Sequence, residues 1–321
     1  MNIGFIGCGG IARHHMGYLA KFPEVQLTAF CDIDESRARA AAADHRGRAY
    51  TDHRALLDRE QLDAIYLCIP PFAHTDQAIL AAQKGIALFL EKPVALNLEK
   101  AQEIREAIEK AAVVSSVGYV WRYPDTTQRA VSLFQQRPIG LVMVYWMGSI
   151  AGAPWWKQKD KSGGQLVEQV THLVDLARYL AGDIRTVCAA FGDRLLKGKV
   201  PGLDIPDVQA GLLSFENGVI GAFANTCILS QSHTIGVHVY AQDLVAEVGF
   251  GNLRILDKGE VREYQGANDP YLAEHQAFLN AVRSGDRSGI LSSYADAVKT
   301  LAVTLSANQS AATGKPVVIS C

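Results

Sequence analysis

Two short stretches of this chain carry residue types that do chemistry. The first is Gly7-Cys8-Gly9-Gly10-Ile11-Ala12, a G-x-G-x-x-A pattern that follows an apolar run and opens a helical one. In that context the first glycine makes a tight turn and the second lets backbone approach a pyrophosphate, while Ala12 permits close packing of helix on strand. Backbone N–H groups at the helix start then face the phosphates. Glycines make turns everywhere, so the pattern gains its weight from Asp32, twenty residues past Ala12 at the end of the next apolar run, VQLTAFCD. A carboxylate there accepts from the ribose hydroxyls of adenosine and repels a 2′-phosphate, which favours NAD over NADP. Arg37 and Arg39 follow closely and suit either a 2′-phosphate or a solvated helix face. The second stretch is Glu91-Lys92-Pro93, where the run ALFL stops at a carboxylate, an ammonium and a rigid ring. Ligands of parallel sheets bind beyond the carboxyl ends of the strands, so Glu91 and Lys92 are expected at the nicotinamide end of a dinucleotide. From spacing alone, Lys92 fits a proton relay and a strand-end ion pair equally well. Pro93 restricts it to extended conformations.

The elements that must position these residues alternate. IGFIG, VQLTAF, AIYLCI, ALFL and VVSSVGY suit buried parallel strands, with helical patterns over 10–21, 35–44, 53–58, 74–84 and 98–110. This predicts an α/β fold whose residues 1–120 form a dinucleotide-binding Rossmann domain with a doubly wound parallel sheet. After Pro124 the pattern changes to a helix over 125–136, the strand LVMVYWMG, and a glycine-bounded helix over 165–181. From about 186 to 264 the runs read as strands, and Asn217-Gly218 inside SFENGVIGAF signals a tight hairpin. Helices over 271–284 and 293–313 and a short strand, PVVIS, close the chain. Residues 121–321 therefore read as an α+β domain with a large, mainly antiparallel sheet whose open face needs cover, which fits oligomerisation. Its C-terminal helices are free to pack back on the first domain.

At 100° per residue, the helix over 165–181 puts Leu166, Val170, Leu173, Ala177 and Leu180 on one side. Glu168, His172, Asp175 and Tyr179 fall opposite, a polar face that suits solvent as well as a site. Gly182 suits a left-handed cap. Trp155-Trp156 before the Gly163-Gly164 turn suit either a sugar-stacking wall or packing against the sheet. No role is read for His14, His15, His233 or His238.

At 321 residues, with 49% hydrophobic and 20% charged residues, the chain is long enough for two ordinary soluble domains. A formal net charge of −2 gives no electrostatic case for nucleic acid or an anionic membrane. Six scattered cysteines form no CxxC pair and no zinc spacing, so no metal is expected and the thiols read as structural or incidental. No secretory signal and no bilayer-length apolar run is read, which makes the cytoplasm the expected location.

GCGGIA, Asp32, IPPFAH (69–74), EKP and GGQLVEQVTHLVD (163–175) together resemble the Gfo/Idh/MocA oxidoreductases over nearly the whole chain. The resemblance implies an NAD(P)-dependent dehydrogenase or reductase of sugars, cyclitols and related polyols, assembled as a homodimer or homotetramer through the open face of the second sheet. It implies that Lys92, His172 and Glu168 meet around the substrate hydroxyl. Glu168 stands where the family usually has aspartate, and Val170 where it usually has glycine. The resemblance places Pro70, Pro71 and His74 beside the cofactor, and Trp121, Arg122, Trp155 and Tyr271 at the substrate, with Asp175 as support. Removing a hydride from a secondary alcohol requires a base for the hydroxyl proton, and Lys92 and His172 are suited to share it. Two other functions share these features: a glycosidase that uses NAD catalytically, and a non-catalytic dinucleotide-binding regulator.

Overall fold

The computed structural model describes residues 1–320. They form two compact units, Met1–Gly118 with Tyr271–Asp296, and Tyr119–Pro270 with the rest of the chain from Ala297.

In the first unit, runs of buried apolar residues become six parallel strands: β1 (Asn2–Ile6), β2 (Gln26–Cys31), β3 (Arg48–Tyr50), β4 (Ala64–Leu67), β5 (Ala87–Leu90) and β6 (Ser115–Val117). Their order, β3-β2-β1-β4-β5-β6, is that of a doubly wound sheet. Strand β3 was not read from sequence; it is three residues long and carries no apolar run. Capping residues start several of the helices. Asp34, Asp52 and Asn97 each accept a backbone N–H from the first turn that follows. The helix expected from 74 begins only at Gln77, because Pro70-Pro71 set up a separate 3₁₀ turn over Pro71–Ala73. Phe5, Tyr66 and Phe89 stack across the sheet, and Phe278 on the helix Pro270–Ser284 meets Tyr66 and Phe89 edge-on at 5.7 and 5.5 Å.

The second unit holds β7 (Ile139–Met147), β8 (Ile184–Gly192), β9 (Val208–Phe215), β10 (Ile220–Thr226), β11 (Ile235–Ala241), β12 (Leu244–Gly249), β13 (Asn252–Asp257), β14 (Glu260–Gln265) and β15 (Val317–Val318). They form one nine-stranded sheet, antiparallel except where β10 runs parallel to β7. The hairpin between β9 and β10 turns at Asn217-Gly218, with Gly218 at φ +88°. Leu141, Leu212 and Ile220 are exposed on this sheet.

The helix expected over 165–181 is two pieces, Gln165–Glu168 and Thr171–Ala181. At the break the Val170 N–H reaches back five residues to the Gln165 carbonyl at 3.0 Å. The Gln165 side chain ties the first piece to the sheet: it accepts from Asn225 Nδ2 and donates to the Thr226 carbonyl. Gly182 ends the second piece at φ +99°, ψ −179°, so it has the positive φ of a glycine stop but an extended ψ. Among the described residues, no helix is long and apolar enough to cross a membrane.

Candidate active site

The glycine loop follows β1 and opens the helix Gly10–Leu19. Gly7 sits at φ +89° and donates its N–H to the Cys31 carbonyl; a Cβ there would lie 2.4 Å from the Cys68 carbonyl oxygen. No side chain caps the helix, and a Cβ on Gly9 or Gly10 would meet nothing within 4 Å. The N–H end of the helix is therefore open at the position a pyrophosphate takes. Ile11 is exposed and Ala12 fully buried, which is the close helix–strand packing expected of that position. Asp32 follows β2, with one oxygen accepting from the Cys8 N–H at 2.8 Å and the other from the Asp34 N–H at 2.9 Å. These bonds fix the carboxylate and leave each oxygen a second lone pair for a ribose hydroxyl. Ile33 beside it is 97% exposed, an apolar surface not singled out in the sequence. Arg37 and Arg39 pair with Asp34 and Glu35 on an exposed helix face. Cys8 contributes backbone only, since burial pushes its thiol up to about 12. These residues fit a dinucleotide.

Pro70 and Pro71 shape the turn after β4, and His74 follows it. Burial pushes the His74 imidazole down to about 4, so it stands neutral. Glu91 follows β5 and donates its N–H to the Leu67 carbonyl, and the Lys92–Pro93 peptide is cis. Glu91 is buried and Lys92 half-buried. The Glu91 carboxylate is held by two donors, the Lys92 backbone N–H at 3.1 Å and His15 Nε2 at 2.7 Å. Behind His15 come His275 and Tyr66, neither read as a site residue from the sequence. The signal was there for His15. It shares the buried face of its helix with Ala12, Met16 and Leu19, a polar ring inside an apolar stripe. Tyr271, on the helix Pro270–Ser284, stacks on Tyr18 and meets His14 edge-on at 4.4 Å.

In the second unit Glu168 ends the short helical piece, and His172 lies in the first turn of the piece after it. Both are half-buried, whereas most of the helix Thr171–Ala181 is buried. The His172 ring lies edge-on to Tyr119 at 6.0 Å, and the Tyr119 hydroxyl pairs with Thr171 Oγ1 at 2.8 Å. Burial pushes the Tyr119 phenol up, so it stays neutral.

Asp175 departs from its expected polar face by being fully buried, because two donors of Arg122 close on it: Nε at 2.7 Å and Nη2 at 2.6 Å. Arg122, placed at the substrate by resemblance, thus holds the helix through a buried bidentate pair and also lies over the Tyr179 ring. Trp121 packs against Trp146 and Phe250. Of the aromatic pair, Trp156 is buried in a small core with Leu203, Ile205 and Cys227, and Trp155 packs against that core half-buried. The described cysteines are all free thiols; Cys321 lies outside the described residues. Among the described residues, no group of His, Cys, Asp and Glu could hold a metal ion.

A family model described as the oxidoreductase family with an NAD-binding Rossmann fold matches residues 1–119, and the C-terminal domain model of the same family matches 138–245. An uncharacterized oxidoreductase of Bacillus subtilis is 26% identical over 98% of this chain and 96% of its own. The myo-inositol 2-dehydrogenase of Thermotoga maritima is 26% identical over 89% of each chain. The D-apiose dehydrogenase of Paraburkholderia graminis is 30% identical over 67% of this chain and 57% of its own. Among solved structures, a levoglucosan dehydrogenase in complex with NADH and levoglucosan superposes with a TM-score of 0.87 at 19% identity, covering 100% of both chains.

Proposed function

We propose that this chain, which belongs to the Gfo/Idh/MocA family of NAD-binding oxidoreductases, oxidises a secondary hydroxyl of a sugar, cyclitol or related polyol, with Lys92 and His172 handling the proton. As a dehydrogenase of CH–OH groups it needs three things from its own residues: a grip on the dinucleotide, a proton acceptor, and donors for the remaining hydroxyls. NAD supplies the hydride acceptor when bound. The loop Gly7–Ala12 offers backbone N–H groups to the pyrophosphate, and Asp32 accepts from the ribose, with the exposed Ile33 suited to the adenine. Pro70, Pro71, His74 and Glu91 shape the loops beside the nicotinamide. Lys92 and His172 share the hydroxyl proton, and Glu168 orients His172 or binds a second hydroxyl. Trp121, Trp155 and Tyr271 are assigned to substrate contact, and Arg122 supports them through Asp175. The myo-inositol, D-apiose and levoglucosan named for relatives set the substrate class to test first.

The observation that carries this reading is the fixed Asp32 carboxylate beside an uncapped helix start, in a chain that keeps the EKP lysine and the later histidine. A screen at 340 nm across inositols, aldoses and anhydrosugars, with NAD and with NADP, tests it. Net NADH formation with at least one polyol, and preference for NAD, is the expected outcome. Phenol release from aryl glycosides without net NADH would overturn it in favour of a hydrolase, and tight NADH binding with no turnover would favour a regulator. The same reading assigns the face carrying Leu141, Leu212 and Ile220 to self-association as a dimer or tetramer in the cytoplasm, checked by light scattering.

A further inference from the structure

Four side chains in the first unit form a continuous buried chain, of which the reaction as described uses only Glu91. Tyr66 Oη lies 3.0 Å from His275 Nδ1. His275 Nε2 lies 3.1 Å from His15 Nδ1, and His15 Nε2 lies 2.7 Å from Glu91 Oε1. Both histidines are fully buried. Two imidazoles joined ring to ring in a core are costly to desolvate, so a protein keeps them there for packing or for direction.

Glu91 Oε1 accepts, so His15 Nε2 carries a hydrogen. Burial, helped by the neighbouring His15 and His14, holds the His275 imidazole well below the usual histidine range, so His275 is neutral, with one N–H and one bare nitrogen. It therefore donates to one of His15 and Tyr66 and accepts from the other, and Glu91 closes the chain as an acceptor. At the far end the other Glu91 oxygen accepts the backbone N–H of Lys92 at 3.1 Å. Gly118 adjoins the carboxylate, and a Cβ there would lie 2.8 Å from Oε1, so a side chain at 118 would displace Glu91. The Cys68 thiol near Glu91 is pushed well up, by burial first and then by that carboxylate, and does not compete as an anion.

We infer that His15 and His275 are positioning residues for Lys92: they fix the rotamer of Glu91, and Glu91 fixes the backbone from which the Lys92 side chain departs. The chain is a second layer behind the proposed proton-transfer lysine. His15 shares the helix that the glycine loop opens, but none of the four side chains belongs to Gly7–Ala12 or is Asp32, so turnover should fall much further than cofactor affinity. This inference rests on the role given to Lys92 under Proposed function.

The test compares His15→Leu, His15→Gln and Lys92→Met, using the polyol selected by the 340 nm screen at saturation and NADH as the binding probe. Leucine removes both links. It should lower kcat by roughly ten- to a hundredfold, the loss typical of an ångström-scale misplacement of a reacting group, while the Kd for NADH moves by less than about threefold. Glutamine keeps a donor for Glu91 and a hydrogen-bonding partner for His275, and should recover most of that loss. A wild-type kcat in His15→Leu, together with an inactive Lys92→Met, would overturn this inference alone. Undiminished turnover in Lys92→Met would overturn the reading on which it rests. Equal losses in kcat and NADH affinity in both His15 variants would make the chain merely structural and also overturn it. If His15→Leu does not accumulate as folded protein, His275→Leu carries the same test, since it leaves His15 and Glu91 paired. It should show the same split between kcat and NADH affinity, and wild-type turnover there would count against the inference.

Discussion

Replacing Asp175 with alanine should cost this protein much of its stability. The carboxylate accepts from Arg122 Nε at 2.7 Å, from Arg122 Nη2 at 2.6 Å and from the Thr300 hydroxyl at 2.9 Å. The Arg122 and Asp175 side chains are 4% and 0% exposed, so water cannot take over when one is removed. Breaking a buried ion pair from one side typically costs about 3–5 kcal/mol, because the other charge is left buried and uncompensated. A second buried guanidinium, Arg178, lies 4.0 Å from the same oxygen and donates to Thr300. Arg178 keeps a carboxylate of its own, Asp183 at 2.6 Å, so Arg122 is the cation left stranded and the full range of about 3–5 kcal/mol stands. At about 2–4 °C per kcal/mol for units of this size, the melting temperature should fall by roughly 6–20 °C in scanning calorimetry. Asp175→Asn keeps one carbonyl acceptor and should lose less. Arg122→Met combined with Asp175→Leu should recover part of the loss, since an apolar pair of similar volume leaves no stranded charge. An Asp175→Ala protein melting within about 2 °C of the parent would refute the reasoning.

Other outcomes follow from the same kind of argument. Asp32→Ala removes a charged acceptor of two N–H groups and of the ribose, and should weaken NADH binding by about 10–100-fold while narrowing the preference for NAD over NADP, read by fluorescence titration with both cofactors. His74 is held neutral down to about 4 against an ordinary 6.5, so between those values the unfolded chain binds a proton that the folded one refuses. Stability should therefore fall as pH drops from 6.5 toward 4, by about 3 kcal/mol from this group. His74→Phe should flatten that part of the urea-midpoint profile. The Cys8 and Cys31 thiols are pushed up to about 12 by burial first and by Asp32 second, so native labelling with a disulfide reagent at pH 8 should spare both, as read by peptide mapping.

Much of the fold was legible because its strands are short runs of β-forming, buried residues. ALFL is β5 to the residue, and the β9–β10 hairpin turns at Asn217-Gly218. Strand β3 was not, because three residues led by an exposed arginine carry no apolar pattern. The break after Glu168 was hidden because a 3.6-residue period runs through it, whereas the tie from Gln165 to Asn225 and Thr226 spans some sixty residues of sequence. Arg122 closing on Asp175 was hidden for the same reason: a periodic plot shows which face is polar, not which distant partner buries it. The glycine loop and Asp32 stood out as candidates because binding a dinucleotide needs those types at those places, and Lys92 because a proton relay suits the carboxyl end of a strand. The His275–His15–Glu91 chain joins residues up to 260 positions apart, and only the lone histidine on an apolar stripe hinted at it.

Single-turnover NADH formation by Lys92→Met, set beside its affinity for NADH, decides whether this lysine handles the hydroxyl proton. A rate lowered by roughly 10²–10⁴ with cofactor affinity essentially unchanged is expected. A rate equal to that of the parent, on the polyol the parent oxidises, would contradict it.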